Sequence, residues 1–349
     1  MKVSPTFTAA CALLLLLPLA AGSAQRRVII DTDPGVDDAI ALLMAMRSPD
    51  LKIEAITPVA GNVGLDLTLP NALRLVEIAD RPDIPVAAGA SQPLVRKLVT
   101  ASYAHGDNGL AGVVLPEPKL KPVAMPAAQM IREIVHKYPH EVSLITIGPL
   151  TNVAQALRDD PSLAGLIDEV VMMGGSLSGG NVTPAAEFNF YVDPEAARIV
   201  FNSGLKLTMV GLDPLREGGL TAEDIQKLAA SDKKVAQAAA KFLMPGLERM
   251  RARGINRPRG LPDPAAMSAF LDRTLFQYEQ VYIDVETSGE LTAGMTVAYR
   301  GAPMRRSAPS LGLPDNGFLI SETFKPNCSA AIHVDGPRWE KFMMDLLLK

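Results

Sequence analysis

The chain has 349 residues, 48% of them hydrophobic and 21% charged, with 34 Lys and Arg against 38 Asp and Glu and a formal net charge of −4. The apolar fraction excludes a disordered chain, and two cysteines exclude a disulfide framework. A mildly acidic balance with no long basic run excludes a nucleic-acid binder, and the length allows one large domain or two ordinary ones.

The first segment reads as an address. Lys2 precedes an apolar run over 9–21 with five consecutive leucines, and small residues Gly22, Ser23 and Ala24 follow. A basic start, a short apolar centre and a small-residue exit predict a secretory signal cleaved after Ala24, with bacterial-type export to the periplasm. The run is shorter than the roughly 20 residues of a membrane span. An uncleaved anchor is the alternative. Cleavage leaves Cys328 as the single thiol.

In the body, Val28-Ile29-Ile30 is a β-branched run ending in Asp31 and predicts a buried strand. A helix over 37–46 follows, then a strand over 51–57 and a helical face of Leu69, Ala72, Leu73, Val76 and Ala79. Residues 85–88 predict a short strand, 127–138 a helix and 142–147 an apolar strand. Further helices are expected over 151–157 and 194–202, and further strands over 169–173 and 205–210. The alternation implies parallel strands joined by right-handed helical crossovers. Thr221 and Asp224 form a capping-box-like start to a helical stretch reaching about Arg253, interrupted at Pro245-Gly246. Another helix is expected over 264–271, with a terminal hairpin pair over 280–286 and 296–299. No linker or repeat breaks residues 25–349, which read as one domain. The fold class is α/β, a mostly parallel open sheet flanked by helices and Rossmann-like.

The most informative stretch is Asp31-Thr32-Asp33-Pro34-Gly35-Val36-Asp37-Asp38. Asp31 and Asp33 share one side of the strand end, Pro34-Gly35 turns the chain, and Asp37 and Asp38 open the next helix. Open parallel sheets bind ligands at this end of their strands. Four carboxylates this close repel one another, and a raised pKa or a bound cation relieves the repulsion. An all-oxygen set fits a hard divalent cation, Ca²⁺ before Mg²⁺, and the lack of His or Cys disfavours Zn²⁺. An acidic helix start accounts for Asp37 or Asp38. It does not account for Asp31 and Asp33 after an apolar run. Asp-x-Asp after a strand also suggests a phosphatase of haloacid-dehalogenase type. That family wants Thr or Val four residues after the first Asp, where this chain has Gly35.

Residues 31–39, DTDPGVDDA, resemble the N-terminal signature of the inosine-uridine-preferring nucleoside hydrolase family. Further segments match in order: Ala60-Gly61-Asn62, the HGDNGL run from His105 to Leu110, and Gly148-Pro149-Leu150-Thr151-Asn152. Met172-Met173-Gly174-Gly175, Asn181, Glu187-Phe188-Asn189 and Asp263-Pro264 continue the series, closing with Val285-Glu286-Thr287 and Gly294-Met295-Thr296-Val297. The resemblance runs from Val28 to Arg300 and beyond. It implies cleavage of the N-glycosidic bond of ribonucleosides into ribose and free base, with bound Ca²⁺.

Carried over by motif, Asp33, Asp38, Asp263 and the backbone carbonyl of Ile147 ligate the metal. Asp33 is the general base on the attacking water. Asp37, Asn62 and Asn189 hold the ribose hydroxyls, Asn181 and Glu187 hold the 5′-hydroxyl, and Met173 packs near the sugar. Asp31 supports the others by hydrogen bonding, with direct ligation as the alternative, and His105 is a candidate for a direct catalytic role.

Many relatives carry His immediately before the late Asp, and purine-specific ones can carry Trp; here it is Pro262. Leaving-group activation then falls to His105, to a residue of 242–257, or to water. The Arg-rich segment 243–259 reads equally as a lid or as a solvated basic helix. Loss of the leaving-group residue raises an alternative, an exported nucleoside- or ribose-binding protein on the same scaffold. Relatives form dimers or tetramers, so the resemblance implies a homo-oligomer; a small-molecule nucleoside is the expected partner, with no nucleic acid and no membrane.

Overall fold

Eight strands among the described residues hydrogen-bond into one sheet, in the order β2-β1-β3-β4-β5-β8-β6-β7. In this computed structural model residues 25–300 and 325–349 are described, so the predicted signal over 1–24 lies outside them. The strands are β1 (Arg26–Thr32), β2 (Leu51–Pro58), β3 (Val142–Thr146), β4 (Val170–Met173), β5 (Leu207–Val210), β6 (Phe276–Val285), β7 (Thr296–Tyr299) and β8 (Cys328–Val334). The first five and β8 run parallel, while β6 pairs antiparallel with β8 and with β7. The expected mostly parallel open sheet is therefore present.

Alternation along the strands sends side chains to opposite faces. Val28 and Ile30 of β1, with Ile145, Val171 and Val210, pack into one core. Helices α1 (Val36–Arg47) and α2 (Leu65–Ile78) cover that face, and Ile29, Leu144, Val170 and Met172 enter the other core. There α4 (Ala127–Lys137) and α5 (Thr151–Asp159) pack, with α7 (Pro194–Phe201) beside them. A four-residue turn, α3 (Ser102–His105), and the short α6 (Phe188–Val192) lie between these larger helices in the chain.

β1 is the second strand of the sheet, with β2 at the edge on one side of it and β3 on the other, so the chain reverses its direction of travel across the sheet at β1. That switch point opens a crevice beyond the C-terminal ends of β1 and β3, the usual ligand position in such sheets. The turns after these strands carry Asp33 and Ile147. Helix α10 (Pro262–Leu271) packs against α1 and delivers Asp263, at its N-terminus, to the same crevice.

Three local expectations differ from the fold. Residues 85–88 form no strand; Val86 and Ala87 make only isolated bridges, to Ile56 and Val123. Ile56 N donates to Pro85 O, and Ala87 N and Gly89 N donate to Ile56 O and Pro58 O, but Pro58 has no N–H to continue a regular ladder. The stretch from Thr221 is two helices, α8 (Ala222–Ala230) and α9 (Lys234–Ala252). The capping box forms as expected, with Thr221 Oγ1 accepting from Asp224 N at 3.1 Å and Asp224 Oδ2 accepting from Thr221 N at 2.9 Å. The break falls at 231–233, however, and α9 runs unbroken through Pro245. An interior proline costs about 3 kcal/mol; burial of Phe242, Leu243 and Leu247, each worth about 1.5–3 kcal/mol, offsets it. Finally, the hairpin β6–β7 is not terminal. β8 inserts between β5 and β6, and the C-terminal helix Gly336–Leu347 buries Trp339 and Met343 in the α1 core. No helix among the described residues is long and apolar enough to cross a membrane.

Candidate active site

The crevice holds a cleft of about 450 Å³. The residues singled out from the sequence line it, except Asp31, Asp33 and Asp38, which are buried and do not reach its surface. Tyr103 and Phe188 also line it, as do Ala101, Ala104 and Pro262.

Asp38 sits at the third position of α1 and is held by four donors. Oδ1 accepts from Thr32 Oγ1 at 2.7 Å and Asp33 N at 3.2 Å; Oδ2 accepts from Gly35 N and Asn62 Nδ2, both at 2.9 Å. Part of this is ordinary helix capping. Asp33 is held differently. Its Oδ2 accepts from Asn62 N at 2.6 Å, while Oδ1 is buried with no hydrogen-bond partner. The carboxylate occupies a slot between two glycines. A Cβ on Gly61 would lie 2.1 Å from Oδ2, and one on Gly148 2.6 Å from Oδ1. Both glycines belong to motifs read from the sequence, and the slot is the physical reason only glycine fits.

Oxygens of Asp37, Asp38 and Asp263 lie within 4.8 Å of one another and could together hold a metal ion. Asp33 is not one of this trio, whereas the sequence reading put Asp33 in the ligand set and Asp37 on the ribose. Burial pushes the Asp33 and Asp263 carboxyls well above the carboxylate range, with neighbouring Asp38 adding to the rise for Asp33 and Asp37 for Asp263. Burial also raises Asp38, again with Asp37 adding. An uncompensated group of this kind takes up protons or a cation. The orphaned Asp33 Oδ1 and the all-oxygen donors fit a hard cation.

The Asp31 carboxylate hydrogen-bonds none of the other acids, and its Oδ1, like that of Asp33, is buried with no hydrogen-bond partner. Asp31 Oδ2 accepts from Thr57 Oγ1 at 2.6 Å and Asn152 Nδ2 at 2.8 Å. Burial lifts its carboxyl to about 7 against those two donors. Asn152 also accepts from Ala90 N at 2.8 Å, so its amide ties β1, β2 and the following loop together.

On the other side of the cleft the amides are partly committed. Asn62 donates to Asp33 O and Asp38 Oδ2, so its NH₂ group positions the acids. Asn189 donates to Met173 O at 3.1 Å and to Met173 Sδ at 3.3 Å, leaving its carbonyl oxygen as the acceptor. Glu187 caps α6 through Asn189 N and Phe190 N, and also accepts from Gly175 N at 2.9 Å. Burial raises its carboxyl, opposed by those backbone donors. The Asn181 side chain makes no hydrogen bond to the described residues and remains available.

His105 ends α3. Its Nδ1 accepts from Val36 N at 3.1 Å and lies 3.6 Å from Asp37 Oδ1. A ring nitrogen that accepts cannot carry the proton, so the neutral ring is the Nε2–H tautomer. Among the other histidines, His136 pairs with Asp160 and His333 with Glu217, both at 2.6 Å and away from the cleft. Of the Arg-rich segment 243–259, residues 243–252 form the end of α9, and Arg249 Nη2 donates to Ala104 O at 3.2 Å.

A sequence model described as inosine-uridine preferring nucleoside hydrolase matches residues 28–341. The chain belongs to this family. Nucleoside hydrolases are metal-dependent enzymes that cleave N-glycosyl bonds, which removes the phosphatase alternative and makes this chain an enzyme. A pyrimidine-specific ribonucleoside hydrolase RihA of Shewanella baltica is 43% identical over 300 residues, covering 84% of this chain and 94% of that protein. The RihA of Photobacterium profundum is 45% identical over 280 residues, covering 79% and 89%. Among solved structures, the plant nucleoside hydrolase PpNRh1 superposes with a TM-score of 0.83 at 32% identity, covering 93% of this chain and 99% of that one. A purine-preferring ribonucleoside hydrolase from Gardnerella vaginalis gives 0.81 at 29% identity, covering 93% and 98%.

What sequence reading missed at this nucleoside hydrolase site is mostly apolar. Ala101, Phe188 and Val192, with Ala104, form a small cluster of their own. Thr32 as a partner of Asp38 was readable from its place inside the acidic motif. Tyr103 carried no signal, because an aromatic in a polar loop is ordinary.

Proposed function

We propose that this chain is an exported, calcium-dependent hydrolase of pyrimidine ribonucleosides. The observation that carries the metal-assisted hydrolysis is Asp33, which is buried, tethered through one oxygen, and left with the other oxygen unpartnered in a group of carboxylates. The names of the relatives at 43% and 45% identity support the pyrimidine preference. Asp33, Asp38, Asp263 and the Ile147 carbonyl would hold the ion, with Asp37 close enough to share it. Calcium suits a set of six to eight oxygens, and a bound cation acidifies water and neutralises the acids.

Asp33 takes a proton from the attacking water through its free oxygen. The hydroxyl adds to the anomeric carbon, the C–N bond breaks, and its electron pair leaves with the base. Asp37 and the Asn189 carbonyl accept hydrogen bonds from ribose hydroxyls, Asn181 and Glu187 engage the 5′-hydroxyl, and Met173 packs on the sugar. Anionic groups around the ring favour an oxocarbenium-like transition state. His105 donates a hydrogen bond to the departing base from Nε2. It does not hand over the proton, because an imidazolium would need a second N–H where Val36 N already donates. That proton comes from water, which is consistent with Pro262 having none to give.

Ribose release is the test. Metal-replete protein is expected to release ribose from uridine and cytidine, to lose that activity in chelator, and to recover it with Ca²⁺ better than with Mg²⁺. No ribose from any nucleoside sinks the proposal; release that survives exhaustive chelation sinks its calcium part. Export rests on residues 1–24 preceding the family match, which begins at residue 28. N-terminal sequencing of secreted protein is expected to begin at Gln25. Light scattering tests the dimer or tetramer that the resemblance implies.

A further inference from the structure

The cleft lining divides by chemistry, and so does a nucleoside. Carboxylates and amides from the strand ends meet a polyhydroxylated sugar. The Ala101, Ala104 and Phe188 wall is apolar and offers nothing to a hydroxyl. A nucleobase brings a flat π-face, which an aromatic ring or an apolar wall can cover.

Among the described residues, one tyrosine and one phenylalanine line the cleft. Phe188 is packed into the apolar cluster and only 7% exposed, so its ring is already used. Tyr103 is 75% exposed, an unusual state for a large ring at the edge of a built site. Pro262, on the α10 side, supplies no ring.

The ring is exposed but its backbone is pinned. Ala101 N donates to Asn62 O at 2.9 Å, and His105 N donates to Ala101 O at 3.1 Å. Val36 N holds the His105 ring, and Arg249 reaches across from α9 to the Ala104 carbonyl. The four-residue turn is therefore tied to the acidic floor on one side and to α9 on the other. A tyrosine on such a turn has two side-chain torsions to order, a low entropic cost for the area it covers.

We propose that Tyr103 is the residue on which the nucleobase stacks, and that it sets the preference for nucleosides over the sugar alone. This rests on the reading of the cleft as a nucleoside hydrolase site. Stacking tolerates any flat base, so Tyr103 raises affinity for uridine and cytidine alike, and discrimination between them falls to other groups.

The experiment compares nucleoside KM with the inhibition constant of free ribose. Tyr103→Ala is expected to raise KM for uridine and cytidine roughly 5- to 150-fold, the range of base–aromatic stacking, with a smaller change in kcat. Inhibition by ribose stays as in wild type. Tyr103→Phe keeps the ring and brings KM back toward wild type. Three results overturn the inference: an Ala variant with wild-type KM, ribose and nucleoside weakening in parallel, or a Phe variant as impaired as Ala. If wild type releases no ribose, the proposed activity fails by itself. Calorimetric affinities for uridine and ribose in wild type and Tyr103→Ala then decide the stacking role by the same criteria.

Discussion

The two ends of the parallel sheet treat buried acid in opposite ways. At the N-terminal edge, Glu169 is 4% exposed and ringed by cations: Arg26 at 3.1 Å, Arg273 at 3.2 Å and Lys206 at 3.8 Å. The Arg26 guanidinium also lies 3.5 Å over the Phe270 ring. At the C-terminal edge, Asp33, Asp38 and Asp263 are equally buried and have no Lys or Arg ion pair among the described residues. The basic groups beside them face Asp37 instead: His105 Nδ1 lies 3.6 Å from its Oδ1, and the Arg259 guanidinium interacts with it electrostatically. A buried carboxylate costs several kcal/mol unless it is paired. The first edge is a self-contained structural joint. The second is incomplete as protein, which is how a site for an exogenous cation and substrate differs from a scaffold.

This contrast can be broken most sharply at Asp33. Asp33→Ala is expected to lower kcat/KM about 10²- to 10⁴-fold, the loss of a general base, while the melting temperature of the metal-free protein holds or rises because a repulsive charge is gone. Wild-type turnover in that variant would remove the functional meaning of the acidic edge. Gly148→Ala approaches the same loss by sterics. Its Cβ would meet Asp33 Oδ1 at 2.6 Å and Asp33 N at 3.0 Å, and the backbone nitrogen cannot move aside. Unlike Asp33→Ala, it is also expected to lower the melting temperature.

Adding Ca²⁺ to chelated protein is next in size. At a hundred times Kd, binding to the folded state alone contributes about 2.7 kcal/mol, read as a melting temperature that climbs with calcium concentration. A melting curve indifferent to calcium would mean the acids are reconciled by protons instead. At the other edge, Glu169→Gln is expected to cost about 1–3 kcal/mol from lost charge-assisted hydrogen bonds. The lower half is favoured, since Arg26 and Arg273 are 41% and 43% exposed and rehydrate. Activity per folded molecule stays at the wild-type level, because Glu169 lies at the opposite end of the strands; a large fall in kcat would show the edges are coupled. The smallest effect concerns Cys328, buried in β8 with its thiol pushed up to about 12 by desolvation. A thiol reagent in mildly alkaline buffer is expected to leave it unlabelled until the protein unfolds.

Much of the site was legible because its chemistry is local. The acids of residues 31–38 announce themselves by composition, and a β-branched run before them locates a strand end. The alternation of strand and helix gave a parallel sheet. Less legible was whatever depends on partners distant in the chain. Glu187 looked like an odd charge read as a ligand, and the structure shows that its carboxylate also closes α6 and fixes Gly175. Asn62 looked like a sugar ligand, and its amide donors are spent on Asp33 and Asp38. Pro245 looked like a break, until the packing of α9 showed what outweighs it. The C-terminal helix was missed, although Trp339, Met343, Leu346 and Leu347 stand at helical spacing. β8 was not readable, since nothing in Ser329-Ala330-Ala331 says that it pairs with β5.

The sequence by itself determined the class of fold, the acidic centre and the family, because hydrophobic period and motif order are properties of neighbouring residues. Only the tertiary structure decided which carboxylate oxygens lack a partner, which tautomer His105 holds, and which ring stands open at the cleft. Those depend on groups from β1, β3, α3, α9 and α10 meeting at the switch point. Their distances are set by packing across the sheet, which no local pattern encodes.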